Sequence, residues 1–95
     1  MKQYEKEFNP IHNKAHNRIM VQLIMEHEIN HKLVGLRENI ENPYGYFFSP
    51  EYWNWVLEPL RAMGINTSDQ VNDFYNWVQE NFPFGDWHLR YVKTK

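Results

Sequence analysis

Cysteine is absent from this chain of 95 residues, and its absence excludes several kinds of chemistry at once. Without thiols there is no disulfide, no thiolate nucleophile and no cysteine-based zinc site. Glycine is also scarce, with four residues in the whole chain, and neither a Gly-rich phosphate loop nor a nucleophile elbow occurs. The lack of thiols fits a reducing compartment.

Long apolar runs and a charge excess are missing as well. No run approaches the ~18 apolar residues of a membrane span, and the polar start MKQYEKEFNP lacks the apolar stretch of a signal peptide. The formal net charge is −2, from 10 basic and 12 acidic residues, so no general attraction to nucleic acid or to an anionic membrane follows. We expect a soluble cytoplasmic protein without a membrane partner.

The apolar material that is present suffices for one small domain. Hydrophobic residues make up 42% and aromatic residues 17% of the chain, which is not a disordered composition. The length corresponds to a single domain. We expect residues 1–95 to form one mainly α domain, with residues 1–8 as a charged lead-in and residues 40–49 as an aromatic loop.

The first predicted helix is long. Asn9 followed by Pro10 is a typical helix start, and only Gly35 interrupts the helical pattern before about Asn39. Apolar residues surround the middle of this helix on nearly all sides, over residues 19–36. Such a helix is usually central or covered by a second copy of itself, so the pattern also predicts a homodimer formed through the first helix.

Two shorter helices and a final extended segment are predicted to follow. Ser49 is an N-cap signature for a helix over residues 50–63. Thr67 and Gln70 form a capping-box signature for a helix that runs to about Phe82. The aromatic residues 84–92 alternate with other residue types, which predicts an extended C-terminal segment that lies on the helices.

A zinc motif occurs within the first predicted helix. His27, Glu28 and His31 spell HEINH, and these five residues resemble the H-E-x-x-H signature of zincin metallopeptidases. The resemblance implies that the two histidines bind zinc and that the glutamate holds a water. The resemblance covers these five residues alone. No sheet is predicted before the motif, and no third zinc ligand stands in a recognisable motif. Gly35 is one position too late for the longer zincin pattern, which has glycine three positions after the second histidine.

These departures predict that HEINH is not a catalytic zinc site. His12 and His16 make a second pair at helical spacing, but His16 and His27 would lie about 16 Å apart along one helix, too far to share an ion. We therefore expect no cofactor, and interpret the histidines as structural residues in the first place. A metal-dependent hydrolase that uses His27, Glu28 and His31 remains an alternative.

A basic stripe gives a second alternative. Lys14, Arg18 and Lys32 fall on one side of the first predicted helix, as in a phosphate-binding surface. Three charges that are mixed with apolar and acidic residues make a weak patch, so nucleic acid is an unlikely partner. A dimeric nucleic-acid-binding regulator is retained as the alternative that this stripe supports.

Aromatic residues give the strongest functional signal. Trp53 and Trp55 point about 160° apart on one helix, so both cannot face the same core. Trp77 points away from the apolar stripe of the last helix. Trp and Tyr are residues that commonly anchor protein interfaces. The predicted binding residues are Tyr44, Tyr46, Phe47, Trp53, Trp55, Trp77 and Trp87.

The function that these observations favour is a small non-enzymatic module that binds a protein partner. Surplus aromatic surface favours this class, as does the lack of a convincing catalytic constellation. The abundance of Asn and scarcity of Gly are common in phage proteins, which suggests an accessory protein of a phage or mobile element that binds and inhibits a host protein.

Overall fold

The computed structural model describes residues 1–43 and 48–85, which contain helices and turns and no strand. The expected mainly α class is therefore confirmed. No helix in these two ranges combines the length and the apolar character that crossing a bilayer requires. The helices are α1 (Gln3–Glu7), α2 (Lys14–Asn30), α3 (Val34–Ile40), α4 (Pro50–Ala62) and α5 (Ser68–Asn81).

The long first helix that the sequence predicts is divided into α2 and α3. Asn13 rather than Asn9 is the N-cap of α2, because its side chain accepts a hydrogen bond from the backbone N–H three residues later. At the other end, α2 stops at His31, whose φ of 57° lies in the left-handed region. The break turns the chain so that Leu33 and Leu36 reach the core. The prediction of one continuous helix was wrong because tertiary burial ends it early.

The predicted charged lead-in contains the short helix α1. Tyr4 and Phe8 are one helical turn apart and both are buried. Their rings pack edge-to-face on Phe74 of α5, with ring centroids 5.1 Å and 5.0 Å away. The prediction of a charged lead-in overlooked these two aromatic residues because their neighbours in the sequence are charged. In the structure they cover one side of the core.

The later helices begin at well-formed caps. Ser49 accepts a hydrogen bond from the amide of Tyr52 at the start of α4. Thr67 and Gln70 form the complete capping box at the start of α5. Each cap satisfies amides that would otherwise lack partners at a helix start.

The core lies between α2 and the helices packed around it. α2 contacts α4 and α3, and α3 contacts α5. Ile19, Met20, Leu23 and Ile24 of α2 are buried in this arrangement, and the predicted homodimer stays a prediction. The largest fully buried side chains include Ile19, Met20, Leu23, Leu36, Trp53, Leu57, Leu60 and Phe74.

Several predicted residues lie outside the described ranges. Tyr44, Tyr46 and Phe47 of the aromatic loop belong to this group, as does Trp87. Most of the C-terminal segment predicted as extended also lies there, from residue 86 onward.

Candidate functional site

Two helices present their side chains on a common face, which we call the α2–α4 face. Arg18 of α2 contacts Trp55 of α4, and Gln22 contacts Tyr52. Since the α2 positions increase while the α4 positions decrease, the two helices run antiparallel. The face consists of Arg18, Gln22, Met25 and Ile29 from α2, with Tyr52 and Trp55 from α4 and Phe48 from the turn before it.

The α4 side of this face is a row of aromatic rings, which we call the aromatic ridge. The ring centroids of Phe48 and Tyr52 are 4.4 Å apart, and those of Tyr52 and Trp55 are 5.9 Å apart. Phe48 is 40% exposed and Trp55 is 50% exposed. The ridge therefore exposes aromatic surface at both of its ends.

Arg18 holds one end of the ridge in place. Its guanidinium carbon lies 4.2 Å from the ring centroid of Trp55, within the range of a cation–π contact. One guanidinium nitrogen also donates a hydrogen bond of 3.0 Å to the backbone carbonyl of Trp55. This double contact holds the Trp55 ring and the guanidinium in fixed relative positions.

An apolar groove lies beside the ridge. Its volume is about 500 Å³, within the range of ligand and side-chain pockets. The rim includes Ile29, which is 73% exposed and lies in the last turn of α2, where Glu28 and Asn30 are exposed as well. The groove is lined by Gln22, Met25, Glu26, Ile29, Asn30, Gly35, Phe48 and Trp53.

Glu26 is the charged residue in the lining of this groove. Its carboxylate is buried and accepts hydrogen bonds from Gln22 Nε2 and from the backbone N–H of Leu36. Gln22 in turn accepts one from the Tyr52 hydroxyl. Burial raises the pKa of Glu26; these hydrogen bonds act in the opposite direction and the charge of Glu38 adds to the rise. The network joins α2, α3 and α4 at the groove.

Gly35 permits the close packing behind the groove. A Cβ at this position would lie 2.9 Å from both Glu26 Oε2 and Trp53 Cη2, so a larger residue would force these groups apart. Trp53 is 0% exposed, and its indole N–H is buried without a hydrogen-bond partner in the described part of the chain. The wall of the groove is thus packed tightly around a carboxylate and an unused donor.

The structure separates the predicted aromatic residues into different environments. Trp55 is 50% exposed and lies on the α2–α4 face, so it stays in the predicted binding set. Trp53 is a correction to the predicted binding set, since its ring belongs to the core. Trp77 is half-buried and packs against Tyr4, with ring centroids 5.3 Å apart, and against Phe82 at 5.9 Å. The rings of Trp53 and Trp77 thus contribute mainly to the interior.

A second, smaller cavity lies on the outer side of Trp55. It has a volume of about 280 Å³ and is lined by Glu51, Asn54, Trp55, Glu58 and Arg61. Glu51, Trp55 and Glu58 follow at i, i+4 and i+7 on α4, which places the two acids on either side of the indole. The exposed tryptophan is therefore bordered by carboxylates.

The HEINH residues do not share a continuing helix. α2 ends at His31, while His27 lies inside the last turn. The Nδ1 atom of His27 is 2.6 Å from the Tyr75 hydroxyl, and its ring packs on Phe84 with centroids 4.9 Å apart. Within residues 1–43 and 48–85, no three His, Cys, Asp or Glu side chains are grouped so that they could hold a metal ion.

The other histidine pair is also divided. His16 is buried against Phe8, with ring centroids 5.4 Å apart, and its Nδ1 accepts a hydrogen bond from the backbone N–H of Asn9. Desolvation lowers the pKa of His16, with a smaller opposing effect from Glu7. His12 is exposed on the preceding turn. His16 therefore supports the connection between α1 and α2.

Sequence reasoning missed part of the α2–α4 face. Phe48 and Ile29 were not among the predicted binding residues, and neither was Glu26. A signal for α4 was present, because Trp53, Val56 and Leu60 fall at i, i+3 and i+7 and mark the buried stripe. That stripe leaves Trp55 outside. For α2 no such signal existed, since apolar residues surround the helix.

Comparisons with known proteins give no relative for this chain: no protein-family model, no curated protein and no solved structure matches it.

Proposed function

We propose that the protein is a small non-enzymatic module that binds a protein partner through the α2–α4 face. The observation that carries this proposal is the joining of the apolar groove to the aromatic ridge on one surface. Ile29 and Phe48 border the groove, and Phe48 continues through Tyr52 to Trp55. Contiguous apolar surface with polar margins is typical of interaction sites.

The composition of the face supports a protein partner. Aromatic residues, methionine and arginine are enriched in protein interfaces, and the face contains all three kinds. Its anchors are held before binding: Arg18 fixes Trp55, and the Gln22 hydrogen bond fixes Tyr52. Such preorganisation lowers the entropy lost on association. We further propose that binding inhibits the partner, as an accessory protein of a phage or mobile element would do.

A second copy of this chain is the alternative partner. The sequence predicts a homodimer through the first helix, and Ile29 is the exposed apolar residue of that helix on the α2–α4 face. If two copies meet there, each copy covers the α2–α4 face of the other. Sedimentation up to high micromolar concentration distinguishes the two cases. The sedimentation coefficient of a homodimer would rise with concentration, and Ile29→Ser would abolish that rise.

The test is capture of partners by tagged protein in its own host, with variants that keep the fold. Ile29→Ser and Trp55→Ala remove apolar surface from the face. We expect each to weaken capture of a specific protein by about tenfold or more, as loss of an interface anchor does. Ile11→Ser is the matched control, because Ile11 is 56% exposed and lines neither cavity.

The proposal is contradicted if Ile11→Ser weakens capture as much as Ile29→Ser does, or if both face variants capture the same proteins as the unmodified chain. Circular dichroism of each variant provides the folding control. A nucleic acid recovered in place of a protein would favour the regulator alternative, and its binding would weaken steeply with salt.

A further inference from the structure

A chain of hydrogen bonds runs from the aromatic ridge to α3, and we call it the Tyr52–Glu26 relay. The Tyr52 hydroxyl donates to Gln22 Oε1 at 2.5 Å, and Gln22 Nε2 donates to Glu26 Oε2 at 2.5 Å. The same carboxylate oxygen accepts from the backbone N–H of Leu36 at 3.0 Å. Gln22 is 3% exposed and Glu26 is 6% exposed. The relay therefore joins α4 to α3 through two buried side chains of α2.

The relay has a direction, and that direction depends on a charged carboxylate at its end. An ionised carboxylate can only accept hydrogen bonds, so Gln22 turns its amide nitrogen toward Glu26. The amide oxygen of Gln22 then faces Tyr52, whose hydroxyl has to donate. The hydrogen of the Tyr52 hydroxyl is thereby committed to Gln22, and the lone pairs of its oxygen remain for another molecule.

A proton on Glu26 finds an acceptor on the Gln22 side of the carboxyl group. Glu26 Oε1 lies 3.2 Å from the backbone nitrogen of Leu36, and Gly35 contributes a second backbone hydrogen bond to the carboxylate, but an N–H group only donates. A proton on Oε2 faces the Gln22 amide, whose oxygen and nitrogen exchange places when the amide turns over. Gln22 Oε1 then accepts from Glu26, and Nε2 donates to the Tyr52 oxygen.

We propose that the Tyr52–Glu26 relay is a proton-controlled switch, in which uptake of one proton by Glu26 turns over the Gln22 amide and releases the Tyr52 hydroxyl as a donor. The proton comes from solvent, and no other covalent bond changes. Both arrangements have the same number of hydrogen bonds and the same heavy-atom positions. The relay is therefore an element with two states, and the charge of one carboxyl group selects between them.

The groups around Glu26 favour proton uptake. Burial raises the pKa of Glu26, and the charge of Glu38 on α3 adds to the rise, while the hydrogen bonds of the carboxylate oppose it. On α4 the titratable group that faces Glu26 is Tyr52, whose pKa is raised by burial and by the Glu26 charge. Tyr52 therefore keeps its proton at acidic and neutral pH. His27, the next residue of α2, directs its ring to Tyr75 of α5.

The switch bears on binding because Tyr52 lies between Phe48 and Trp55 in the aromatic ridge. With Glu26 ionised, the Tyr52 hydroxyl offers an acceptor and favours a partner atom that donates. With Glu26 protonated, the same hydroxyl offers a donor. This consequence rests on the proposed function, whereas the switch itself is a property of the chain alone.

The test follows three signals of the full chain by NMR as the pH is lowered: the side-chain carboxyl carbon of Glu26, the side-chain amide of Gln22 and the Cζ carbon of Tyr52. We expect all three to change with one midpoint, above the ordinary glutamate pKa of about 4.3. Since Tyr52 does not titrate in this range, a change at its Cζ reports its hydrogen bond. Glu26→Gln should remove the transition from the other two residues.

Two further variants separate the relay from a direct effect of charge. Methionine has a length similar to that of glutamine and lacks an amide, so in Gln22→Met Glu26 should still titrate while the Tyr52 transition disappears. Glu38→Gln is the carboxylate control: it should preserve the transition of all three signals and lower its midpoint, because a nearby negative charge is removed. Circular dichroism checks the folding of each variant. If Gln22→Met does not fold, the Gln22 amide signal of the unmodified chain decides.

Four results would overturn the inference. They are a Gln22 amide signal that does not follow Glu26, a Tyr52 transition that persists in Gln22→Met, a transition of Gln22 and Tyr52 that persists in Glu26→Gln, and a transition that disappears in Glu38→Gln. Each assigns the titration or the response to another group. None involves a partner, so a failed switch leaves the proposed function to be judged separately, by capture of a protein in the host.

Discussion

Two aromatic regions of this small protein differ in what covers them. In the first, Phe74 and Trp77 of α5 are covered by Tyr4 of α1 and by Phe8 at its C-terminal end, with ring centroids 5.0–6.3 Å apart. In the second, the aromatic ridge of Phe48, Tyr52 and Trp55 has similar ring spacings, yet Phe48 and Trp55 are exposed and no helix of the described residues covers them. The first region stabilises the fold, and we propose that the second binds a partner.

The comparison shows that aromatic content does not by itself identify a binding surface. Both regions place rings at helical spacing, and both contain tryptophan. They differ because the five-residue helix α1 closes one of them. Edge-to-face pairs contribute about 0.5–1.5 kcal/mol beyond the area that they bury, which favours closing the first region from within the chain.

The largest expected effect contrasts one residue from each region. Phe74→Ala should lower the free energy of unfolding by about 3–5 kcal/mol, because a fully buried ring leaves a cavity. Trp55→Ala should lower it by less than about 1 kcal/mol, chiefly through the lost contact with Arg18. Urea unfolding measures both values. Similar losses would mean that the ridge is part of the core and would remove the contrast.

A smaller effect is expected at the wall of the groove. Gly35→Ala places a Cβ 2.9 Å from Trp53 Cη2 and from Glu26 Oε2, and overpacking of this kind costs about 1–3 kcal/mol. Gly85→Ala is the control, since a Cβ there meets nothing within 4 Å. Thermal unfolding of the two variants should differ clearly; an unchanged midpoint for Gly35→Ala would show that α3 can move away from α4.

The smallest expected effect is the pH dependence due to Glu26. Burial raises its pKa in the folded protein, so the folded state binds a proton more readily than the unfolded state. This group therefore adds stability as pH falls through its folded pKa, and the gain is complete below the unfolded value of about 4.3. Glu26→Gln cannot titrate, so the stability of the unmodified chain relative to this variant should rise between neutral pH and pH ~4.

His16 does not obscure that measurement. Its pKa is lowered in the folded protein, so its contribution is complete above the unfolded value of about 6.5 and is lost as pH falls toward the folded pKa. Both the unmodified chain and Glu26→Gln contain His16, and its effect cancels in their difference. A difference that is constant with pH would contradict a raised pKa at Glu26, and Glu80→Gln provides the exposed-carboxylate control.

The mainly α class could be predicted because its signals are local. Helix starts depend on a cap and on the next few residues, and the capping box of Thr67 with Gln70 forms as its pattern indicates. The angular argument about α4 was also sufficient to show that Trp53 and Trp55 cannot share one core. Their exposures of 0% and 50% confirm it.

The break between α2 and α3 could not be predicted in the same way. Residues 31–33 contain no proline or glycine, and the chain turns there so that Leu33 is buried. The position of this turn depends on contacts with the rest of the domain, and a local sequence pattern carries no information about those contacts. The exposure of Ile29 has the same origin, since α2 is apolar on most sides and only the positions of α3 and α4 decide which side remains uncovered.

The most direct test of the central claim is site-specific photo-cross-linking in the host, with a photoreactive residue in place of Ile29, Phe48 or, as the control, Ile11. We predict that Ile29 and Phe48 both cross-link to the same protein, and that Ile11 does not. Cross-links from Ile11 alone, equal cross-links from all three positions, or cross-links from the face to nucleic acid would contradict the claim that the α2–α4 face binds a protein partner.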